Sequence, residues 1–348
     1  MSTPPDPADR GPAADGHDLV GDGLAGDKFA GDEFAGVADA VRAGLTDAMR
    51  LAHVNTFHPN AFDWSEAATP AELAYLSVVV FGEPGHEAEA AAYIAKELAQ
   101  LAEIERHVSA VMALAMGELH DLPDAVNHGH ELHHALSCFA SEEIQHANTF
   151  YRYSRAVSGI EPRVVNGLFD ERMEVFRTDD HPYVKLVALC LSAYVGESVI
   201  TVFEHRTDAL DPERSRFFTR LLHTHGLDEA RHIKIDHVAM KLIHPALSPG
   251  RRERVRVLLT EIEDLNRRLA QSFEKAVSAA LGLDFSTGNP AAETQLEMAK
   301  GFGARLFAED GTLHTVDEIL DGELRELVTR FSGTDRIHTT TLLTGALR

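Results

Sequence analysis

Apolar residues recur three and four positions apart through most of this chain. One stripe runs Leu132, Leu136, Phe139, Glu143, His146 and Phe150, in steps of 4, 3, 4, 3 and 4. That period draws one face of an α-helix. Reading every stripe this way predicts helices near 36–53, 70–82, 86–120, 127–158, 182–209, 212–243, 249–282, 290–308 and 315–331. Pro, Gly and Asp punctuate the gaps. Asp211-Pro212 and Ser248-Pro249 each set a capping residue ahead of a proline at the first helical position. Between His58 and Thr69 lies a loop holding the only tryptophan, Trp64, which reads as a packing anchor. No stretch alternates apolar and polar residues in the manner of a strand. The expected class is all-α, and several helices are longer than the roughly 10–14 residues common in globular proteins, as in helix bundles.

The informative positions are those where a charged residue interrupts an apolar stripe. Glu143 and His146 do so in the stripe above, and a carboxylate placed there is costly unless paired, protonated or metal-bound. A second stripe runs Phe218, Leu222, His225, Glu229, His232, Asp236 and Ala239. It repeats Glu-x-x-His and adds His225 one turn earlier. Glu197 is the only charge between Leu186 and Phe203. Glu204 shares its face and is the reserve candidate, but it lies nearer the helix end and is expected to be solvated. In the helix near 86–120, the face of Ile94, Leu98, Leu101, Glu105, Val108, Met112 and Ala115 turns Glu105 inward. His107 lies off that face.

Glu105, Glu143, His146, Glu197, Glu229 and His232, with His225 as a seventh, form a candidate metal-ligand set. Two Glu-x-x-His pairs plus one Glu from each of two more helices is the recipe of a carboxylate-bridged di-iron or di-manganese site. Four carboxylates balance two divalent ions, and carboxylate with imidazole suits Fe or Mn. Glu142 and Asp228 each precede a ligand glutamate and are placed to accept the outer N–H of a ligand histidine on a neighbouring helix. Buried Glu–His hydrogen bonds without metal are the plain alternative. The cluster His128, His130, His133 and His134 reads as a solvated helix start.

Net charge is −23, which argues against nucleic acid and anionic membranes as partners. The apolar run Leu186–Phe203 carries Glu197 at its middle and reads as a buried helix rather than a bilayer span. Cys138 and Cys190 fall in apolar helical stretches, which fits a reducing, cytoplasmic setting with no disulfide framework. No signal peptide is visible. Residues 1–35 carry three Gly-Asp pentads and read as a disordered acidic tail. Residues 36–340 then make one helical domain.

The pattern Glu105, Glu142-Glu143-Ile144-Gln145-His146, Glu197 and Asp228-Glu229-Ala230-Arg231-His232 resembles the ferritin-like di-iron carboxylate proteins. His225 narrows it, because His-x-x-x-Glu-x-x-His is similar to the p-aminobenzoate N-oxygenase family, the arylamine oxygenases of antibiotic biosynthesis. This resemblance implies a ferritin-like four-helix bundle with flanking helices and two irons, with manganese in one position compatible with the same ligands. It implies His225 as a seventh ligand to one iron. It implies O₂-dependent oxidation of an amine towards hydroxylamine, nitroso or nitro products. The amine is either free or borne on a carrier protein. A ferredoxin or reductase supplies electrons, since no flavin or nicotinamide motif occurs, and a homodimer is expected. The competing readings are a di-iron hydroxylase or desaturase, a ferritin-like iron-handling protein, and a helical interaction protein with incidental Glu/His pairs.

Overall fold

The computed structural model describes residues 34–50, 52, 58–120, 122–161, 163, 164 and 167–334. The acidic tail expected over residues 1–35 lies outside them but for its last two positions, as do residues 335–340 of the expected domain. The described residues are all-α, with no strand among them. The helices are α1 (Ala38–Met49), α2 (Pro70–Phe81), α3 (Glu87–Leu119), α4 (Glu131–Ser158), α5 (Leu168–Phe176) and α6 (Pro182–Leu210). They continue with α7 (Phe217–Val238), α8 (His244–Ala246), α9 (Pro249–Leu281), α10 (Pro290–Arg305), α11 (Val316–Ile319) and α12 (Gly322–Ser332). A wider π turn, Ala239–Ile243, joins α7 to α8.

Local chemistry explains most boundaries. Thr69, His181, Ser248 and Asn289 each cap a helix with the side chain, and each is followed by proline. Gly82 and Gly159 close α2 and α4 at φ of 86° and 70°, where other residues are strained.

Three expectations needed correction. The helix expected from 212 starts at Phe217, because Asp211 caps a turn instead. Its carboxylate accepts the backbone N–H groups of Ser215 and Arg216 at 3.0 and 2.8 Å. The stretch 315–331 is two helices, broken at Leu320 and Asp321. The nine-residue α5 was not expected, since its stripe is too short to register as a period.

The four longest ligand-bearing stripes pack on one another. Helix α3 lies along α4 and α6 along α7; α3 also meets α6, and α4 meets α7. Helix α9 rests on both α3 and α6, while α1 crosses α4 and α7. Helix α6 is long and apolar enough to cross a membrane, yet its core stretch is buried by these neighbours. Cys138 and Cys190 are buried and form no disulfide. Trp64 is a packing anchor: it contacts Phe217 at 5.2 Å, and the Arg152 guanidinium lies over its ring.

One contact ties the start of α7 to the rest. Helix α7 has no side-chain cap of its own. Glu72 of α2, buried, supplies one across the fold, accepting from Phe218 N at 2.7 Å and Phe217 N at 3.2 Å. A carboxylate at a helix N-terminus also meets the positive end of the helix dipole. Glu72→Ala leaves two buried N–H groups unmet and is expected to cost about 2 kcal/mol in a denaturant titration. Glu72→Gln, which keeps an acceptor, should cost less.

Candidate metal centre

The four ligand helices bring all seven predicted residues together. Glu105, His146, His225 and Glu229 form one group; Glu143, Glu197, Glu229 and His232 form a second. Within each group, one ligand atom per residue lies within 4.8 Å of every other. Every member is buried. Glu229 belongs to both groups. Its Oε1 lies 2.9 Å from His225 Nε2 and 3.2 Å from His146 Nδ1, and its Oε2 lies 3.5 Å from His232 Nδ1. One oxygen thus faces His225 and His146 and the other faces His232, so Glu229 joins the two groups.

The arrangement tests well as a metal site. Despite those short distances, Glu229 Oε1 and His232 Nδ1 have no partner in hydrogen-bonding geometry, and neither do Glu105 Oε2 and Glu197 Oε2. Buried oxygens and nitrogens rarely go unmet in a folded protein. Here they converge from three helices, α3, α6 and α7, which is the behaviour of ligands aimed at a common point rather than at one another. These groups can therefore hold metal ions, and a set of carboxylates with imidazoles favours hard or borderline divalent metals.

A second layer fixes the histidines, and it crosses between helices. His146 of α4 sets its Nε2 3.1 Å from Asp228 of α7. His232 of α7 sets its Nε2 2.9 Å from Glu142 of α4. Both carboxylates were expected in this role. Such partners hold Nε2 protonated and leave Nδ1 to face the centre. The buried Arg231 then joins the two carboxylates, donating to Glu142 at 2.5 Å and also to Asp228. Arg231 was missed from sequence, although its place three residues after Asp228 on the same helix was a readable signal.

His225 has its own partner. Its Nδ1 lies 3.2 Å from Glu204 Oε1. Glu204 was expected in solvent; it is 4 % exposed. The room for it comes from Gly226, where a Cβ would fall 2.5–2.8 Å from the Glu204 carboxylate. His107, which lies off the Glu105 face of α3, is buried as well. Phe139 stacks on His232 at 3.8 Å between ring centroids, and Phe150 sits 4.8 Å from His225. Tyr194 and Thr201, which flank Glu197, make structural bonds to Val316 N and Glu197 O. Past His232, the buried Asp236 faces Glu197 and the Cys190 thiol; burial pushes both carboxyls well above their ordinary range, the Asp236 charge adds to the rise at Glu197, and hydrogen bonds with Glu197 and Cys190 oppose the rise at Asp236.

Without metal, protons carry the balancing charge. Burial pushes Glu105 up to about 8. Burial opposes protonation of His146 and so does His225, but Asp228 and Glu229 outweigh both and raise it to about 9. For His225 and His232 the facing carboxylates, Glu229 foremost, likewise overcome burial and raise the pKa well above 6.5. Burial works against an ionised Glu229, yet His225 and His232 hold its pKa well below the usual range.

Neither a protein family, nor a curated protein, nor a solved structure matches this chain.

Two expectations follow from this geometry. Glu105 and His146 both have folded-state pKa values above the unfolded ones, so the stability they contribute is present at low pH and lost as pH rises. For Glu105 the loss runs between 4.5 and about 8; for His146 it runs between 6.5 and about 9. The metal-free chain should therefore melt at a lower temperature at pH 9 than at pH 6, and the metal-loaded chain should show a smaller drop. Separately, Gly226→Ala should push Glu204 off His225 and weaken metal binding about 10-fold to 100-fold. Helix propensity alone would make that change stabilising by up to about 1 kcal/mol. Unaltered affinity in a cobalt(II) titration would remove Glu204 from the site.

Proposed function

We propose that this protein is a ferritin-like, non-haem di-iron oxygenase that oxidises an amine nitrogen. The pairs α3–α4 and α6–α7 would be the two halves of the bundle. The observation that carries the reading is the pair of four-residue ligand groups joined through Glu229, with His225 giving the Glu105 group a second imidazole. The sequence resemblance to arylamine N-oxygenases rests on that same histidine.

When bound, two irons supply O₂ activation, with electrons from an external donor. The chain does the rest. Glu229 would contribute one oxygen to each group. Asp228, Glu142 and Glu204 keep three imidazoles turned with one nitrogen inward. Phe139 and Phe150 exclude water over His232 and His225. The group that contains His225 offers two nitrogens and two carboxylates; the other offers one nitrogen and three carboxylates. With metals bound, this asymmetry would make the two positions chemically unequal, the His225 group being the richer in nitrogen donors.

The test is direct. The chain is loaded with iron, reduced without air, and mixed with O₂ and a panel of arylamines. About two irons per chain are expected, with amine-dependent formation of the hydroxylamine seen by mass spectrometry. Oxidised carbon in place of nitrogen would favour a hydroxylase or desaturase. A large iron-filled cage would favour storage. Less than about one metal per chain would sink the metal reading. His225→Ala should keep much of the iron and lose N-oxygenation; unchanged product would remove His225 from the argument.

A further inference from the structure

A second group of buried polar atoms lies away from the metal ligands. Arg172, on α5, is 2 % exposed, yet its Nε and Nη2 have no hydrogen-bond partner. An unmatched buried guanidinium is costly, and side chains of this kind are seldom fully buried unless paired. His107 of α3 is beside it, 1 % exposed; neither ring nitrogen makes a hydrogen bond, and its Nε2 lies 3.9 Å from Glu103 Oε1, beyond hydrogen-bond distance. The His107 ring packs on Phe169 of α5 at 4.5 Å, which sets α5 against α3. An apolar cluster of Ala99, Leu168, Leu265, Leu269 and Phe273 lies at the same junction of α3, α5 and α9 and keeps its surroundings of low polarity.

Two acids are near Arg172, and both are engaged elsewhere. Glu103 accepts from the Tyr151 hydroxyl at 2.6 Å and from Arg106 at 3.3 Å. Glu263 accepts from Ser192 at 2.7 Å and from Asn266 at 3.1 Å. Their charges reach Arg172, but among the described residues no ion pair includes it. The unmet atoms are also the informative ones. Nε–H and one Nη2–H run parallel along a single edge of the guanidinium plane, with the spacing of two carboxylate oxygens.

We propose that Arg172, with His107 beside it, forms a binding site for a small carboxylate on the side of α3 turned away from the metal centre. Helix geometry supports the separation. His107 and Glu103 each stand two residues from Glu105, about 200° around α3. The Arg172 edge takes both carboxylate oxygens. His107 donates a third hydrogen bond as the neutral ring, because burial and the adjacent Arg172 hold its pKa down at about 2. Arg172 itself remains charged, since burial lowers it only to about 10. The site is independent of the function proposed above and would persist if that reading failed.

The experiment is calorimetric titration of the iron-loaded, full-length chain with benzoate, and with inorganic phosphate for comparison. Carboxylates also coordinate metals, so the variants separate the two sources of heat. Wild type is expected to show a saturable benzoate event that Arg172→Lys, which keeps the charge but loses the two-pronged edge, weakens by at least about ten-fold. Binding at the metal would survive in that variant. His107→Ala should weaken the same event several-fold with iron content unchanged, which covers the case in which Arg172→Lys fails to fold. Equal benzoate affinity in wild type and both variants, or no saturable event in wild type, overturns the proposal. Phosphate binding as tightly as benzoate would overturn the carboxylate assignment.

Discussion

Everything in this fold answers to one electrostatic requirement. Four glutamates and three histidines of the centre, with Asp228 and Asp236 alongside, are almost wholly withdrawn from water. Isolated, each carboxylate would be neutralised or expelled. The chain meets the requirement in layers. Imidazoles face carboxylates at the centre, further carboxylates hold the outer imidazole nitrogens, and Arg231 joins Asp228 to Glu142. Protons complete the balance when metal does not. Burial raises Glu105, and the carboxylates of Asp228 and Glu229 raise His146, so both take up protons more readily than they would in water.

Such a centre needs rigid walls, and the outer helices provide them. Helices α1, α2 and α9 pack on the ligand helices without lending a ligand. Glu72 shows how closely the outer helices are joined to the inner ones, since α2 caps the backbone of the helix that holds three of the seven candidate ligands. Gly226 plays the matching part at close range. A missing side chain on α7 is the space into which the Glu204 carboxylate of α6 fits.

Much of this was legible in the sequence, for a physical reason. A charge on an apolar stripe is an expensive anomaly, so Glu143, His146, Glu229 and His232 stood out by local pattern, and Glu197 by isolation. Glu105 had no motif and was found only by the face it shares with Leu101 and Val108. What escaped notice depended on distant contacts. Glu204 looked solvated because its burial comes from α7, not from its own helix. Glu72 gave no sign of capping a helix almost 150 residues downstream. Arg172 sits on a helix of nine residues, too short for periodicity to reveal which side faces inward. The boundary at Phe217 was misplaced because Asp-Pro begins a turn as readily as a helix.

The crossed pairs His146–Asp228 and His232–Glu142 have a bearing on biogenesis. Each of these histidines receives its orientation from the opposite helix, and α7 is the last ligand helix in the chain. A nascent polypeptide that has made α3, α4 and α6 holds Glu105, Glu143, His146 and Glu197 but lacks Glu229, which joins the two groups, and the carboxylate that orients His146. Metal held by the full set would therefore be captured only once α7 docks, and metal content would then report on molecules that have completed folding rather than on those still being made.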